Sequence, residues 1–414
     1  MRCRGYVLLS LIALVVSGVA SGQEAFKART AAAGRANLED LRREGFEALY
    51  NLDYEGANRR FKEIARAFPD HPAGPQFLAA ALWAQTLNSS RRLQASLYSS
   101  DSFYTKTEDK VDPRTVEQFR ELTRVAKQLA EVRLKRDPRD VEALYFLGAA
   151  EGLRAAFAAA VQRSFKSALG DGSRCVDRHR QVLKLDPAFH DAELTIGLYD
   201  YTVGSLPLPV KLLVSIGGVH GSKKRGLETL VRVTKEGHWA RDDARSLLIV
   251  LYKREKRFDD ALVVSRELST RYPRNYLIKL ESADALTSKA AVARKENKAD
   301  VAASAEREAF AIYDALLRER TAAPVYDLIH FQYGEALLAA GQPERATREF
   351  IAVTKVSGAE QGLVTMAHLR AAQALDLTSH RNEALAQYRL VLTRPDIYNA
   401  HEEAKRGLRE PYKR

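Results

Sequence analysis

One spacing limits what this chain can fold into. "EGFEALYNLDYEGANRRFKEIARAFPDHP" places Gly45, then Ala57 twelve residues on, Phe61 four further and Pro69 eight beyond that. "YGEALLAAGQPERATREFIAVTKVSG" sets Gly334, Ala346 and Phe350 at the same intervals and closes on Gly358. "AAQALDLTSHRNEALAQYRLVLTRP" repeats the order with Ala372, Ala384 and Tyr388, its Pro395 one residue early. "LLIVLYKREKRFDDALVVSRELSTRYP" offers Tyr252, Ala261 nine on and Pro273 twelve beyond it. Small residues let two antiparallel helices approach closely, an aromatic ring fills the gap between pairs, and a proline ends the second helix.

Apolar residues recur at helical spacing nearly throughout, and alternating β-branched runs are rare, so the fold class is all-α. Four such spacings in one chain resemble the tetratricopeptide repeat (TPR), two helices per unit of about 34 residues. That resemblance implies an irregular TPR-like α-solenoid of antiparallel helix pairs, one domain over 37–414. In the centre, Pro138 and Gly148 stand ten residues apart, as do Pro187 and Gly197. Between them "VEALYFLGAAEGLRAAFAAAVQRSFKSALG" reads as one unusually long helix, and its Glu151 and Arg154 argue against a membrane span. Two segments interrupt the array: a Ser-, Thr- and charge-rich loop over 88–113, and a Pro/Gly-containing central insertion over 203–226. "SKAAVARKENKADVAASAERE" (288–308) reads as two solvated helix ends around a turn.

The N-terminus carries a different signal. "MRCRGY" is a short basic start, "VLLSLIALVVSGVA" an apolar stretch and "ASGQ" a run suited to cleavage after Gly22. This is the pattern of a secretory signal peptide over 1–22, followed by a linker over 23–36. The expected location is outside the cytoplasm, periplasmic in a Gram-negative bacterium; an uncleaved N-terminal anchor is the alternative. Removing the leader leaves Cys175 alone, so no intramolecular disulfide can form, and a small buried hydrophobe is the expected role for it. The formal charge of +12 suggests attraction to anionic surfaces or acidic partners. Acidic residues are interspersed almost everywhere and no long basic block occurs, so nucleic acid is not the expected partner.

Catalytic motifs are missing. "GGVHGSKKRG" invites a phosphate-loop reading, but Gly217 to Gly221 is one residue too short and Lys224 stands where a hydroxyl should be. The nine histidines are scattered without zinc spacing. "HDAE" (190–193) is read as a solvated helix start, and no GxSxG elbow occurs. The expectation is therefore no enzyme and no cofactor.

What remains is surface. In stacked helical repeats the first helices line a concave groove that grips a peptide or a partner helix. By spacing, Arg42 and Phe46 in the first unit, and Phe331 and Glu335 in a later one, face that groove. The central stretch also has Gly197-Leu198-Tyr199, Leu206-Pro207, Leu212-Leu213, Gly217-Gly218-Val219, Gly221 and Gly226-Leu227 with Leu230. Over Pro187 to Pro273 this resembles a eukaryotic TPR family linked to the mitochondrial outer membrane and to clearance of protein inclusions. Ser222-Lys223-Lys224 departs from that family, which has an acidic residue after the glycine. The resemblance implies a short apolar helix over 210–216 inside the insertion. Packed within the solenoid, the insertion is structural. Exposed, its Leu212 and Val214 beside Lys223, Lys224 and Arg225 suit an anionic membrane surface. The expected partner is thus a protein or peptide ligand, with a membrane surface as the alternative.

Expressed in a Gram-negative host, the protein should be recovered from the periplasm with Gln23 as its first residue. N-terminal sequencing checks this, and recovery in the membrane fraction with the leader intact would establish the anchor instead.

Overall fold

The computed structural model describes residues 37–89 and 111–413, apart from 163, 207, 209–210 and 212–219. The leader, the linker and most of the 88–113 loop lie outside the described residues. The described residues contain no strand and form eight antiparallel helix pairs with one terminal helix. The chain is an all-α repeat of paired helices.

The first unit pairs α1 (37–50) with α2 (Tyr54–Ala67). The next three units are α3 (Ala73–Ser89) with α4 (Pro113–Arg136), α5 (Val141–Ala160) with α6 (Phe165–Leu185), and α7 (Glu193–Gly204) with α8 (Lys223–Glu236). Four compact units follow: α9 (Arg241–Arg254) with α10 (Phe258–Arg271), α11 (Tyr276–Lys295) with α12 (Ala299–Leu316), α13 (Tyr326–Ala339) with α14 (Pro343–Val353), and α15 (Gln361–Leu377) with α16 (Arg381–Leu392). Helix α17 (Ala400–Arg409) closes the stack. The long apolar stretch read as one helix is two: α5 stops at Ala160 and α6 returns along it from Phe165. Its glycines explain why. Gly148 lies under His179 and Gly152 under Cys175, so α5 and α6 pack face to face over most of their length.

Local chemistry sets the helix starts. Asp53, Asp112, Asp140, Ser222, Asn275 and Glu360 each accept a backbone N–H from the first turn of the helix they precede. Pro113 and Pro343 occupy first-turn positions where a missing N–H costs nothing. In α2 the buried residues are Ala57, Phe61 and Ile64, one face at helical spacing.

Five units share one turn. Leu52, Lys256, Asn297, Gly341 and Ser379 each stand two residues past the first helix of their pair with φ of 61°, 58°, 58°, 73° and 63°. In each case the next residue donates its N–H back five positions: Asp53 to Ala48, Arg257 to Tyr252, Lys298 to Ala293, Gln342 to Leu337 and His380 to Leu375. This is the Schellman arrangement, which satisfies orphan carbonyls and reverses the chain in three residues. The stretch read as two solvated helix ends is the same turn in the sixth unit. Units two and four lack it, and both long interruptions sit there, between the two helices of a pair.

The interruption in the fourth unit leaves and returns at one point. A side chain at Gly226 would strike Gly197 O and Tyr201, one at Gly221 would strike Val203 and Asp200 O, and one at Gly204 would strike Ser222 and Lys223. The α7 and α8 backbones therefore touch, and Leu208, 76% exposed, stands outside this neck. Residues 203–204 belong to α7 and 223–226 to α8, so the excursion is shorter than the 203–226 read from the sequence.

At three places a glycine closes against a ring. Gly45 faces Phe61, Gly334 faces Phe350 and Gly407 faces Tyr388, with a Cβ at Gly334 only 2.6 Å from the Phe350 ring. Polar pairs follow the same register in the last two units: His330 Nδ1 to Glu349 at 2.7 Å and His368 Nδ1 to Gln387 at 2.7 Å.

Gly334→Ala is expected to lower the thermal midpoint, because overpacking of about 1–3 kcal/mol outweighs the ~1 kcal/mol gained in helix propensity. Combining it with Phe350→Leu should cost less than the two changes summed, by about 1 kcal/mol in a double-mutant cycle read by thermal or urea unfolding. Additive losses would mean that ring and glycine do not touch.

Candidate binding cleft

Distant units meet at Trp239, in the turn between α8 and α9. Asp191 builds that turn: its Oδ1 accepts the backbone N–H groups of His238, Trp239 and Ala240 at 2.8, 2.7 and 2.8 Å. A side chain at Gly237 would place its Cβ 2.6 Å from Val233 O and 3.2 Å from that Asp191 oxygen. Held this way, the indole packs against Tyr145, Phe146 and Phe189, with centroids 5.4, 5.6 and 5.7 Å away. Its Nε1 donates to Glu39 on α1 at 3.1 Å, across two hundred residues of chain.

A second set of bonds closes the same seam. Tyr50 at the end of α1 stacks on Tyr272 (4.9 Å, 26°) and donates its hydroxyl to Asp243. Asn275 donates to the Tyr50 carbonyl at 2.6 Å, the Arg274 N–H to Asn51 at 3.3 Å, and Tyr276 to Asn88 at 3.0 Å. The solenoid therefore curls until its first two units dock on its fifth and sixth.

The docking leaves a cleft of about 250 Å³. Arg42, Arg43, Phe46, Glu47 and Tyr50 of α1 form one wall. His238, Trp239, Arg241 and Asp242, with Arg271 and Tyr272 at the end of α10, form the other. Burial pushes the Asp243 carboxyl up to about 6, and the charges of Asp242 and Asp191 add to that, against the pull of the Tyr50 hydroxyl and Arg42. Burial likewise raises Tyr50 and Tyr272 above the usual phenol range. Burial works to raise Glu39 as well, but hydrogen bonding and charge from Arg42 outweigh it and hold the carboxyl below the usual range.

Two of the residues expected in a groove stand in this cleft. The Arg42 guanidinium hydrogen-bonds Glu39 at 2.6 Å and lies 6.0 Å from the Phe46 ring and 5.9 Å from Trp239. Phe46 lines the wall while packing on Phe61 (5.2 Å) and Phe77 (4.9 Å), so it also joins the first two units. Phe331 and Glu335 lie elsewhere. Phe331 packs edge-on against Phe350 at 5.7 Å, and Glu335 bridges α13 to α15 through Arg370 at 2.9 Å. Leu212 and Val214 lie outside the described residues. Lys223 pairs with Glu255 at 2.8 Å, and Arg225 grips Asp200 with two bonds of 2.5 and 2.7 Å. Lys224, 86% exposed, is the most open of the three and stands 3.8 Å from Glu228.

The local sequence does not mark Asp191, Trp239, Tyr50 or Asp243 as functional. The "HDAE" start is not solvated: Asp191 is buried under the turn it caps, and Glu193 pairs with Arg232 at 2.7 Å. The nearest approach to nucleophile chemistry is Cys175, its Sγ 3.9 Å from His179 Nδ1. Burial pushes the thiol up to about 12 and the imidazole down to about 4. A reactive cysteine needs a thiolate beside an acceptor for its proton, and this pair is held neutral. Among the described residues no group of three His, Cys, Asp or Glu could hold a metal ion, and no helix is long and apolar enough to cross a membrane.

The fold is thus a helical repeat closed on itself around an aromatic seam. No family model matches the chain, and no curated protein matches it in sequence. Among solved structures it is similar to a human IFIT1 dimer with m7Gppp-AAAA, at 12% identity over 90% of this chain and 84% of that one, TM-score 0.45. It is also similar to a tetratricopeptide repeat protein from Parabacteroides merdae (14% identity, 81% and 99% covered, TM-score 0.32) and to yeast Tom70 (12%, 87% and 86%, TM-score 0.36). Superpositions this loose carry over no ligand and no residue role, and they single out no subfamily.

Asp243 gives the seam a pH dependence whose sign follows from its raised value. A carboxyl with a folded pKa of about 6 and an unfolded value near 4 contributes stability when protonated, and loses that contribution as pH rises through 6. Raising the pH from 5 to 8 should therefore lower the melting temperature of the wild type relative to Asp243→Asn. A gap that stays constant across that range would mean the carboxyl titrates normally.

Proposed function

We propose that this protein is an exported, non-catalytic helical-repeat scaffold, periplasmic in a Gram-negative bacterium, that binds a protein or peptide partner on the inner face of its solenoid. The observation that carries this reading is the seam cleft. Recessed sites with aromatic walls and a few placed polar groups are where proteins hold ligands, and Phe46, Tyr50, Trp239 and Tyr272 line this one with arginines between them. The cleft brings together no nucleophile and base, and the protonated-form preference of Cys175 speaks for structure over chemistry.

One observation favours a second reading, a peripheral membrane adaptor. Leu208 is three-quarters exposed on the central insertion, and Lys224 is exposed at the start of the helix that follows it. An apolar tip near a cation suits an anionic bilayer. The pairing of Lys223 with Glu255 and of Arg225 with Asp200 leaves little unneutralised charge to drive that contact.

The test is retention of proteins and lipids from detergent-solubilised envelopes on the immobilised chain. Stoichiometric retention of one or a few proteins, abolished by Arg42→Glu while helical content stays unchanged by circular dichroism, is the expected result. Anionic lipid retained without protein and released by salt would transfer the function to the insertion.

A further inference from the structure

Four successive residues at the end of α1 are gripped by the fifth and sixth units. The Tyr50 ring packs on the buried cluster of Ile249, Leu268, Tyr272 and Ile278. Asn275 donates its Nδ2 to the Tyr50 carbonyl while its Oδ1 accepts the Leu277 and Ile278 N–H groups, so one side chain starts α11 and holds α1. Asn51 accepts the Arg274 N–H at 3.3 Å, and Asp53 stands 3.6 Å from the Arg274 guanidinium. Leu52 packs on the long core cluster that begins at Leu262. The corner is plugged between units, and the Tyr50 hydroxyl ends on Asp243. Three aspartates meet there with unequal support. Asp191 receives three backbone N–H groups, and Asp242 receives the Tyr272 hydroxyl and Arg245, with Arg271 3.4 Å away. Asp243 receives the Tyr50 hydroxyl, a donor that belongs to α1 and leaves with it.

We propose that the Tyr50–Asp53 corner is a pH-controlled latch, which holds the first unit on the fifth while Asp243 carries a proton and lets go as that proton is lost. The charges acting on Asp243 are Asp242 on its own helix, Asp191 from the turn before α7 and Arg42 from α1. The Tyr272 phenol acts on it from the end of α10 and the Tyr145 phenol from α5. At the other end of the seam Glu39 pairs with His238 at 3.2 Å. A protonated Asp243 keeps its bond to Tyr50 without adding charge beside Asp191 and Asp242. Deprotonated, it is a third negative charge in a poorly hydrated site, and opening relieves that by letting water reach it. The closed carboxyl titrates at about 6 and a hydrated one at about 4, so the closed form binds the extra proton. Its advantage is therefore present at low pH and lost as pH rises through 6. Unlatching would separate the walls of the cleft, so control of a partner held there rests on the scaffold reading above; the latch itself does not.

The experiment is hydrogen exchange of the full chain by mass spectrometry from pH 5 to 8, with each rate corrected for the intrinsic pH dependence of amide exchange. Peptides spanning 44–53 report the latch, and peptides from α13 and α14 report the deeper openings of the stack. Protection over 44–53 is expected to lie below that of α13 and α14, and to fall about tenfold between pH 5 and 8. Asp243→Asn keeps an acceptor for the Tyr50 hydroxyl without the charge, and should hold its 44–53 protection constant over that range. Tyr50→Phe takes the donor from the charged form, and should lower protection more at pH 8 than at pH 5. His238→Gln should leave the pH profile as it is in the wild type. The inference is overturned if 44–53 opens only together with α13 and α14, or if its protection does not fall with pH. It is equally overturned if Asp243→Asn shows the same fall, if Tyr50→Phe acts alike at both pH values, or if His238→Gln abolishes the fall. Exchange is read without a partner, so a failed latch leaves the scaffold reading standing. Envelope retention that fails at every pH removes the scaffold and leaves the latch.

Discussion

The structure depends on how closely two helices of a pair can approach. Where Gly45 meets Phe61 and Gly334 meets Phe350, the missing Cβ lets a ring lie on the neighbouring helix backbone. The ring then fills a volume that no aliphatic side chain fills as well, and dense packing makes the fit sensitive to a single methyl group. In the last unit Ala372 and Tyr388 share one buried cluster, and Tyr388 lies under Gly407 of the closing helix. Each lock fixes the angle of one pair and offers a face to the next. Buried side chains run almost without interruption from Leu262 to Ala371 because successive pairs stack this way.

The seam is the consequence of stacking with curvature. Pairs that repeat with a small rotation bring early and late units together after several steps, and here the first unit reaches the fifth. The contact is polar as well as aromatic, and much of it converges on carboxylates. Asp191 shapes the turn that presents Trp239, Glu39 receives the indole, Asp243 receives Tyr50, and Asp242 receives Tyr272. Burying three aspartates in one region costs solvation, which is why each is tied to N–H or O–H donors. The raised pKa of Asp243 records that cost. The closure that consumes part of the inner face also forms the cleft, so cleft and ring closure share residues.

Irregularity is confined and has a structural logic. The five units with the three-residue left-handed turn are the first and the last four. The second, third and fourth units lack it; the second and fourth carry the long connections, and the fourth shows how such a connection is tolerated. Gly197, Gly204, Gly221 and Gly226 bring the α7 and α8 backbones into contact, so the excursion adds length without separating its pair. An insertion placed between helices of a pair leaves stacking between pairs intact, and the array continues past it.

The sequence by itself determined the class of fold. The Gly/Ala–Ala–aromatic–Pro spacing is local to one pair, and local geometry of that kind is written in local residues, so four of the eight units were legible from it. Of the residues it set on a groove, Arg42 and Phe46 line the cleft, whereas Phe331 and Glu335 pack between helices. Other features were beyond its reach. Only one of the five left-handed turn residues is glycine, so the shared turn had no compositional mark. The bend at 161–164 was hidden in an apolar stretch that two packed helices and one long helix satisfy equally. Asp191, Trp239, Tyr50 and Asp243 acquire meaning only from one another, at separations of about two hundred residues for the longest links. Accumulated rotation over several pairs decides which residues meet at that range, and no short pattern encodes it. Tertiary structure alone therefore decided that the first unit closes on the fifth in a seam with a cleft.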